Sequence, residues 1–353
     1  MTSSSLIPIV DFGAWYGSPL EERQRVAHEI ADACRHVGFV QISNHGVPDQ
    51  LVTQAFAWSA KFFNLPLERK KMAPHLEGAP SPRGYSWPGL EKVSQAGFTG
   101  EVHTDDEAAA LRQTPDVKES FDVGSDSLPG HVNIWPPEEA GGLDDDTGLT
   151  GFRDFMTRFY SECAIVGREL MRALAMGVGL PPDEEARLLA SHTDGLNNQL
   201  RLLHYPPVAA AALERGEVAR MPAHTDWGTL TMLFQDDCGG LQVESPSAPG
   251  TFIDAIPTKG AMVLNVGDSL MRWTNNGLKS TLHRVVKPAA KTDSSSARGA
   301  EMAPSRYSIV CFNSPDPDAT VECFPSCIST DNPARYPPMT YGDYMLLRSQ
   351  GHY

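Results

Sequence analysis

The segment His224-Thr225-Asp226 and the later His283 are the residues of this sequence whose types and spacing could bind a transition metal. Two imidazoles and one carboxylate occupy one face of an octahedral ferrous ion and leave the opposite face open for oxygen and a second ligand. Side chains alternate along an extended chain, so those of His224 and Asp226 point to the same side. The sequence therefore predicts a ferrous site, to which another strand must bring His283.

A strand is predicted around His283, because residues 280–286 are rich in β-branched side chains. A His-x-Asp pair alone arises often by chance and can be no more than two polar groups beside a strand. Here Arg306 and Ser308 open a further strand-like run, and Tyr205 closes an earlier one. The combination favours a metal site over isolated surface residues.

Arg306 has a clear role if the metal binds a dicarboxylate through one end. The other carboxylate is then buried and needs a fixed cation, and the planar guanidinium of arginine meets a carboxylate with two parallel hydrogen bonds. Ser308 is two residues further along and faces the same side, so its hydroxyl can add a hydrogen bond. Without the metal ligands, Arg306 would be interpreted as a charge on a surface strand.

The elements that must position these residues fall into two parts. Residues 1–150 are predicted to form a helical and irregular region, with helices over residues 19–36 and 48–64. Residues 151–353 are predicted to form the core, which begins with a long supporting helix over residues 152–180. Short strands in the first part are predicted over residues 7–10, 38–42 and 116–123.

After Leu200 the pattern changes to short strand-like runs separated by turns, and their even spacing is typical of a double-sheet jelly roll. The expected fold is mainly β with α: a double-stranded β-helix (jelly roll) core with an N-terminal helical region and a long supporting helix. The polar residues 287–304 are predicted to be a flexible loop. The eight strand-like runs are residues 200–205, 229–235, 241–244, 252–255, 261–266, 281–286, 306–312 and 320–324.

Composition excludes several other classes of protein. The formal net charge of -15 argues against a nucleic-acid partner and against an anionic membrane surface. The six cysteines lack the spacing of a zinc site, and no apolar stretch approaches the length of a signal segment or a membrane span. The expectation is a soluble, cytoplasmic protein that acts on a small molecule, with no obligate protein partner evident.

The sequence resembles the iron and 2-oxoglutarate dioxygenases of the isopenicillin N synthase-like superfamily over nearly its whole length. Within that superfamily it is similar to thymine dioxygenase and to fungal secondary-metabolite oxygenases. The segments that carry the resemblance are Arg83-Gly84-Tyr85-Ser86, Arg201-Leu202-Leu203-His204-Tyr205-Pro206, His224-Thr225-Asp226-Trp227-Gly228, Asn265-Val266-Gly267-Asp268, Ser280-Thr281-Leu282-His283-Arg284-Val285 and Arg306-Tyr307-Ser308.

The resemblance implies roles for particular residues and a cofactor set of Fe(II), 2-oxoglutarate as cosubstrate and O2. The implied products are succinate, carbon dioxide and an oxidised substrate, most simply an alcohol from a C–H bond; desaturation and ring rearrangement remain open. Leu203 departs from the pattern, because many plant members have an asparagine there that also contacts 2-oxoglutarate. The implied iron ligands are His224, Asp226 and His283, and the implied 2-oxoglutarate-binding residues are Arg306, Ser308 and Tyr205.

Three further residues are candidates for binding a small, flat ring, either a nucleobase or an intermediate of secondary metabolism. Arg201 shares a strand face with Tyr205, and Phe312 shares one with Arg306. Trp227 directly follows Asp226. For Arg201 a structural salt bridge is an equal alternative, and for the two aromatic residues the alternative is packing in the core.

Two other functions remain open at this point. An oxidase of the same superfamily could use the iron without 2-oxoglutarate, since Arg306 and Ser308 persist in such relatives. A non-catalytic jelly-roll binding protein is the alternative from another class, although the complete set of metal ligands speaks against it. The segment Gly267-Asp268-Ser269-Leu270 also matches a serine-hydrolase signature, but a tight turn between strands explains it better.

Overall fold

The computed structural model describes residues 7–76, 82–90, 116–138, 148–288 and 302–349. Among these residues, no helix is both long enough and apolar enough to cross a membrane. The helices, in chain order, are Leu20–His36 (α1), Asp49–Phe63 (α2), Leu67–Lys70 (α3), Phe152–Val178 (α4), Pro182–Ala190 (α5), Ala210–Glu214 (α6), Asp268–Trp273 (α7) and Tyr341–Ser349 (α8).

The strands are short, as the alternating apolar runs predict. In chain order they are Ile9–Asp11 (β1), Phe39–Ser43 (β2), Gly84–Ser86 (β3), Glu119–Gly124 (β4), Gln199–Tyr205 (β5), Val208–Ala209 (β6), Met221–His224 (β7), Leu230–Gln235 (β8), Leu241–Glu244 (β9), Phe252–Asp254 (β10), Ala261–Val266 (β11), His283–Val285 (β12), Met302–Ala303 (β13), Arg306–Asn313 (β14), Thr320–Val321 (β15) and Met339–Thr340 (β16).

Two sheets make up the jelly roll. The larger has eight strands in the order β1-β2-β11-β8-β14-β5-β4-β3, and the smaller has four in the order β10-β9-β12-β7. Residues from both sheets, including Leu203, Val243 and Val310, pack together in what we call the inner core. The sequence-based expectation of a mainly β jelly roll with helices is confirmed.

The other face of the large sheet packs against the helices in what we call the outer core, which includes Phe62, Phe159, Leu170 and Ile309. Helix α4 contributes more buried residues than any other helix, because its apolar side chains recur at helical spacing, and its buried stripe faces both helix α1 and the sheet. It ends at Gly179, whose left-handed φ of 84° closes the last turn. The predicted supporting helix is therefore present and ends two residues earlier than expected.

Strands on both sides of residue 150 belong to the large sheet. β4 pairs with β5, and β2 pairs with β11. The region of residues 1–150 thus adds strands as well as helices to the same fold, and the division at residue 150 stays a prediction.

Several local expectations are corrected by the structure. The run at residues 320–324 is a strand only over β15, because Pro325 starts a 3-10 turn, and β15 pairs with β16 outside the two main sheets. The segment from Gly267 does not form a turn between strands but starts helix α7. The predicted loop at residues 287–304 includes β13, which pairs with β6, while residues 289–301 lie outside the described residues.

Candidate active site

The predicted metal ligands converge at one end of the small sheet. His224, the last residue of β7, lies directly opposite His283, the first residue of β12. Asp226 follows β7 by two residues, and its Oδ1 lies 3.9 Å from His224 Nε2 and 3.7 Å from His283 Nε2. One possible ligand atom from each residue lies within 4.8 Å of the others, which is the arrangement needed to hold a metal ion.

Backbone carbonyls orient both imidazoles. The Nδ1–H of His224 donates to the carbonyl of Pro222 at 2.9 Å, and that of His283 donates to Thr281 at 3.2 Å. Each ring is therefore held with its Nε2 lone pair towards Asp226, as metal-ligating histidines require. Burial, reinforced by the neighbouring His283, lowers the pKa of His224 to about 3, so its ring is neutral and ready to act as a ligand.

Asp226 is held ionised and oriented by its neighbours. Burial raises the pKa of its carboxyl group, but the two histidines and hydrogen bonds from Asn265 and Thr231 outweigh burial and lower it overall. Asn265 Nδ2 donates to Asp226 Oδ2 at 2.7 Å, which leaves Oδ1 towards the imidazoles. Asn265 thus orients one of the predicted metal ligands, a contact that the sequence did not reveal, although the segment that contains Asn265 carried part of the resemblance.

A buried carboxylate, Asp268, braces the segments that carry the ligands. Its Oδ1 accepts from Ser280 at 2.6 Å, and its Oδ2 accepts from Thr225 at 3.3 Å. From helix α8, Tyr344 donates to Oδ2 at 2.6 Å and Arg348 Nη1 lies 3.3 Å from it. The residue between two ligands, the approach to the third and a distant helix are thus joined through one carboxylate.

Arg306 is buried in the jelly roll at 1% exposure, and its described contacts are all with neutral groups. Its Nε donates to the carbonyl of Gly239 at 3.0 Å, its Nη1 to Ser308 Oγ at 3.0 Å and its Nη2 to Gln235 Oε1 at 3.2 Å. Its Cζ lies 5.3 Å from the centre of the Tyr205 ring. A guanidinium that is buried without a carboxylate from the described residues is suited to bind an anionic ligand.

The donor sets fit the two groups that the resemblance implies. Two neutral imidazoles and a carboxylate suit ferrous iron, and the forked cation beside a serine hydroxyl suits a carboxylate. Tyr205 belongs to the inner core, as does Phe39, whose ring lies edge-on to His283 at 5.2 Å. The metal ligands and the cationic group therefore border the same interior.

Arg201 forms the structural salt bridge that was one of its two interpretations. Its Nε lies 2.7 Å from Asp122 Oδ1, and its Nη2 donates to Asp122 Oδ2 at 3.2 Å. Gln199 also donates to this carboxylate, at 2.5 Å. A contact between Arg201 and a substrate stays a prediction.

The two aromatic candidates lie in different places. Phe312 packs against the inner core, on the strand face that it shares with Val310. Trp227 packs against the outer core, with the Cζ of Arg348 5.5 Å from the centre of its ring. The chain leaves strand β7 after His224, so alternation no longer decides where Trp227 points, and the packing favours its alternative role in the core.

Comparisons with known proteins agree with this geometry. Residues 7–138 match the family model described as the N-terminal region of a non-haem dioxygenase in morphine synthesis. Residues 196–315 match the model of the 2OG-Fe(II) oxygenase superfamily. The second match includes all nine candidate site residues, and the first covers most of the predicted N-terminal region.

Among curated proteins, the chain is 38% identical to the 2-oxoglutarate-dependent dioxygenase frbA of Dothideomycetidae sp., over 90% of this chain and 88% of frbA. It is 36% identical to the proline hydroxylase buaE of Petromyces alliaceus, over 90% of each chain. Among solved structures, the thymine-7-hydroxylase of Neurospora crassa in complex with alpha-KG and thymine matches with a TM-score of 0.81 and 35% identity, over 99% of this chain and 97% of the hydroxylase. The chain belongs to the 2OG-Fe(II) oxygenase superfamily.

Proposed function

We propose that this enzyme binds Fe(II) through His224, Asp226 and His283, and that it hydroxylates a small ring compound. The observation that carries the proposal is the cluster of these three ligands beside an interior that also holds Arg306, a buried cation without a carboxylate among the described residues. A dicarboxylate that chelates the metal through one end needs such a cation to bind its other carboxylate.

Arg306, Ser308 and Tyr205 are proposed to bind 2-oxoglutarate. The guanidinium is prearranged, since the contacts with Gly239 and Gln235 fix its plane before any ligand arrives. The Ser308 hydroxyl lies at hydrogen-bonding distance from Nη1 and can turn towards the same carboxylate.

When bound, iron, 2-oxoglutarate and O2 supply the oxidising chemistry, which releases succinate and carbon dioxide. The protein contributes geometry: two fixed imidazoles, a carboxylate held by Asn265, and an interior that excludes water. No side chain needs to act as a general base in this scheme. The lack of an obvious acid–base pair in the sequence is consistent with it.

The substrate is proposed to be flat and polar at one edge. Phe312 offers an apolar ring surface, while Arg201 and Asp122 offer a polar edge on the neighbouring strands. The Neurospora hydroxylase is described in complex with thymine and buaE as a proline hydroxylase, so compact heterocycles suit relatives of this chain. Fungal secondary metabolism is the proposed setting, because many of its relatives are fungal 2-oxoglutarate-dependent dioxygenases.

The test is turnover of a panel of nucleobases, prolyl compounds and aromatic metabolites with Fe(II), 2-oxoglutarate and oxygen. The expected result is one hydroxylated product and one succinate per turnover. Oxidation of a substrate without succinate would instead identify an oxidase that does not use 2-oxoglutarate. Tight binding of a compound by protein that takes up no iron would identify a binding protein.

A further inference from the structure

Arg220 is a second buried cation, and it is not among the residues proposed above to bind iron, 2-oxoglutarate or the substrate. It is 1% exposed, and its Nη2 donates to the carbonyl of Pro304. Its Nε and Nη1 have no nitrogen or oxygen hydrogen-bond partner among the residues that the structure describes. Two such guanidinium nitrogens in a buried position are unfavourable unless a ligand or an ordered water satisfies them.

Arg220 lies next to the group that is proposed to bind 2-oxoglutarate. Its Cζ is 5.9 Å from the centre of the Tyr205 ring, and the Cζ of Arg306 is 5.3 Å from the same centre. Burial lowers the pKa of Arg220; the neighbouring Cys238 thiol opposes this effect, and repulsion from Arg306 adds to it. Gly239, the residue after Cys238, accepts a hydrogen bond from Arg306. Both guanidinium groups thus lie beside the same buried tyrosine ring, close enough to repel one another.

The carboxylates on the neighbouring strand segment are already paired with other cations. Asp122 lies 2.7 Å from Arg201, and Asp116 lies 2.5 Å from Lys118. If either carboxylate moved to neutralise the two arginines, its present cation would become a buried charge without a partner. Neither carboxylate therefore balances the charge of the two arginines, which can be neutralised by an anionic ligand.

We propose that Arg220 and Arg306 together bind the carboxylate of 2-oxoglutarate that does not chelate the metal, beside the Tyr205 ring. This inference rests on the proposed function and adds a second guanidinium to it. It also accounts for Leu203, which is buried in the inner core and cannot donate the hydrogen bond of the asparagine found there in many plant relatives. Arg220 supplies donors from another segment instead.

The experiment compares two ligands that differ only in the carboxylate at issue. Binding of 2-oxoglutarate and of 2-oxopentanoate, which keeps the chelating keto acid but lacks the second carboxylate, is measured by calorimetry with Mn(II)-loaded protein. Arg220→Gln should weaken 2-oxoglutarate binding about 10- to 100-fold, as expected for loss of a hydrogen bond to a charged group. Binding of 2-oxopentanoate should change little. Unchanged 2-oxoglutarate affinity, or an equal loss for both ligands, overturns the inference.

Arg83→Gln is the matched control. Arg83 is also nearly buried, at 4% exposure, and its Nε also lacks a hydrogen-bond partner among the described residues. Asp122 and Asp126 lie close enough to Arg83 to offset part of its charge. The control should therefore keep its affinity for 2-oxoglutarate. A loss equal to that of Arg220→Gln would show that removing any buried arginine weakens binding.

Two further variants show whether a negative result contradicts the role of Arg220 or the proposed function as a whole. Arg220→Lys keeps the charge but not the planar fork, so it should fold if the glutamine variant does not and should show an intermediate loss of affinity. Arg306→Gln tests the proposed function itself: it should weaken 2-oxoglutarate binding whatever Arg220 does. If Arg306→Gln weakens binding and neither Arg220 variant does, the further inference alone is wrong.

Discussion

Two buried polar clusters lie on opposite sides of the large sheet, and they differ in how their charges are balanced. On the outer face, Glu119 accepts hydrogen bonds from Lys70 at 2.7 Å, Tyr85 at 2.5 Å and His204 at 2.7 Å. On the inner face, Arg306 and Arg220 have no carboxylate partner among the described residues. The charges of the outer cluster are balanced within the protein, whereas those of the inner cluster have no counter-charge among the described residues.

Strand alternation produces this difference from adjacent residues. His204 and Ser305 are joined on the outer face at 2.9 Å, while the next residues, Tyr205 and Arg306, are cross-strand partners on the inner face. Under the proposed function, the cluster around Glu119 is structural, and the arginines without a carboxylate partner belong to a binding site. The comparison can be tested by changing each side in turn.

Removal of a metal ligand should have the largest effect on the inner side. Asp226→Ala should abolish succinate formation, because two imidazoles alone do not hold the iron in its three-ligand geometry. The fold should survive, as judged by circular dichroism, since Asp226 is not part of the outer cluster. Full activity in this variant would contradict the ligand assignment.

Substitutions in the two clusters should affect different properties of the protein. Glu119→Ala should lower the free energy of unfolding by about 3–5 kcal/mol, since it leaves Lys70 as a buried unpaired charge. Arg306→Ala should instead raise the KM for 2-oxoglutarate far more than the KM for the substrate, with a smaller loss of stability. Urea unfolding and steady-state kinetics of both variants are the measurements. Similar effects of the two substitutions on both quantities would remove the distinction between the clusters.

A smaller effect is expected where a neighbour only orients a ligand. Asn265→Ala removes the hydrogen bond to Asp226 and should weaken metal binding about 10- to 100-fold. Binding of Co(II), followed by its visible absorption, reports this without turnover. Asn265→Asp keeps the size but replaces the donor with a second carboxylate, so unaltered Co(II) affinity in both variants would show that the contact does not matter.

The smallest effect concerns the pH dependence of the outer cluster. Burial alone would raise the pKa of Glu119, but hydrogen bonds from His204, Lys70 and Tyr85 reverse this and hold it below its ordinary value of 4.5. The unfolded chain takes up this proton first as the pH falls, so the stabilisation is present above 4.5 and is lost as the pH drops through the folded value. Unfolding curves of Glu119→Gln should depend less on acid than those of the unchanged protein.

The sequence predicted the parts of the site that depend on local pattern. The positions of His224 and Asp226, the strand that carries His283, and the shared face of Arg306 and Ser308 follow from alternation over a few residues. The roles of Asn265 and Asp268 could not be read in this way, because they arise from contacts between segments that lie far apart in the chain.

The three longest helices, α1, α2 and α4, and most of the longer strands were also predicted within a few residues, since apolar periodicity is a local signal, whereas the shorter helices, including α7, were not predicted. Strand β3 was missed, because its three residues are too short to show alternation. The position of Trp227 could not be predicted from alternation, because strand β7 ends at His224, three residues earlier. Arg220 gave no signal at all, because nothing in its neighbours along the chain shows that its charge is unbalanced.

The position of β11 in the large sheet has a consequence for folding kinetics. It lies between β2, near the beginning of the chain, and β8, so the sheet closes only when very distant segments meet. Such closure is slow, because the entropy of a long loop is lost before its contacts form. Until β11 arrives, the edges of β2 and β8 are open to other chains, so refolding yield should fall as protein concentration rises.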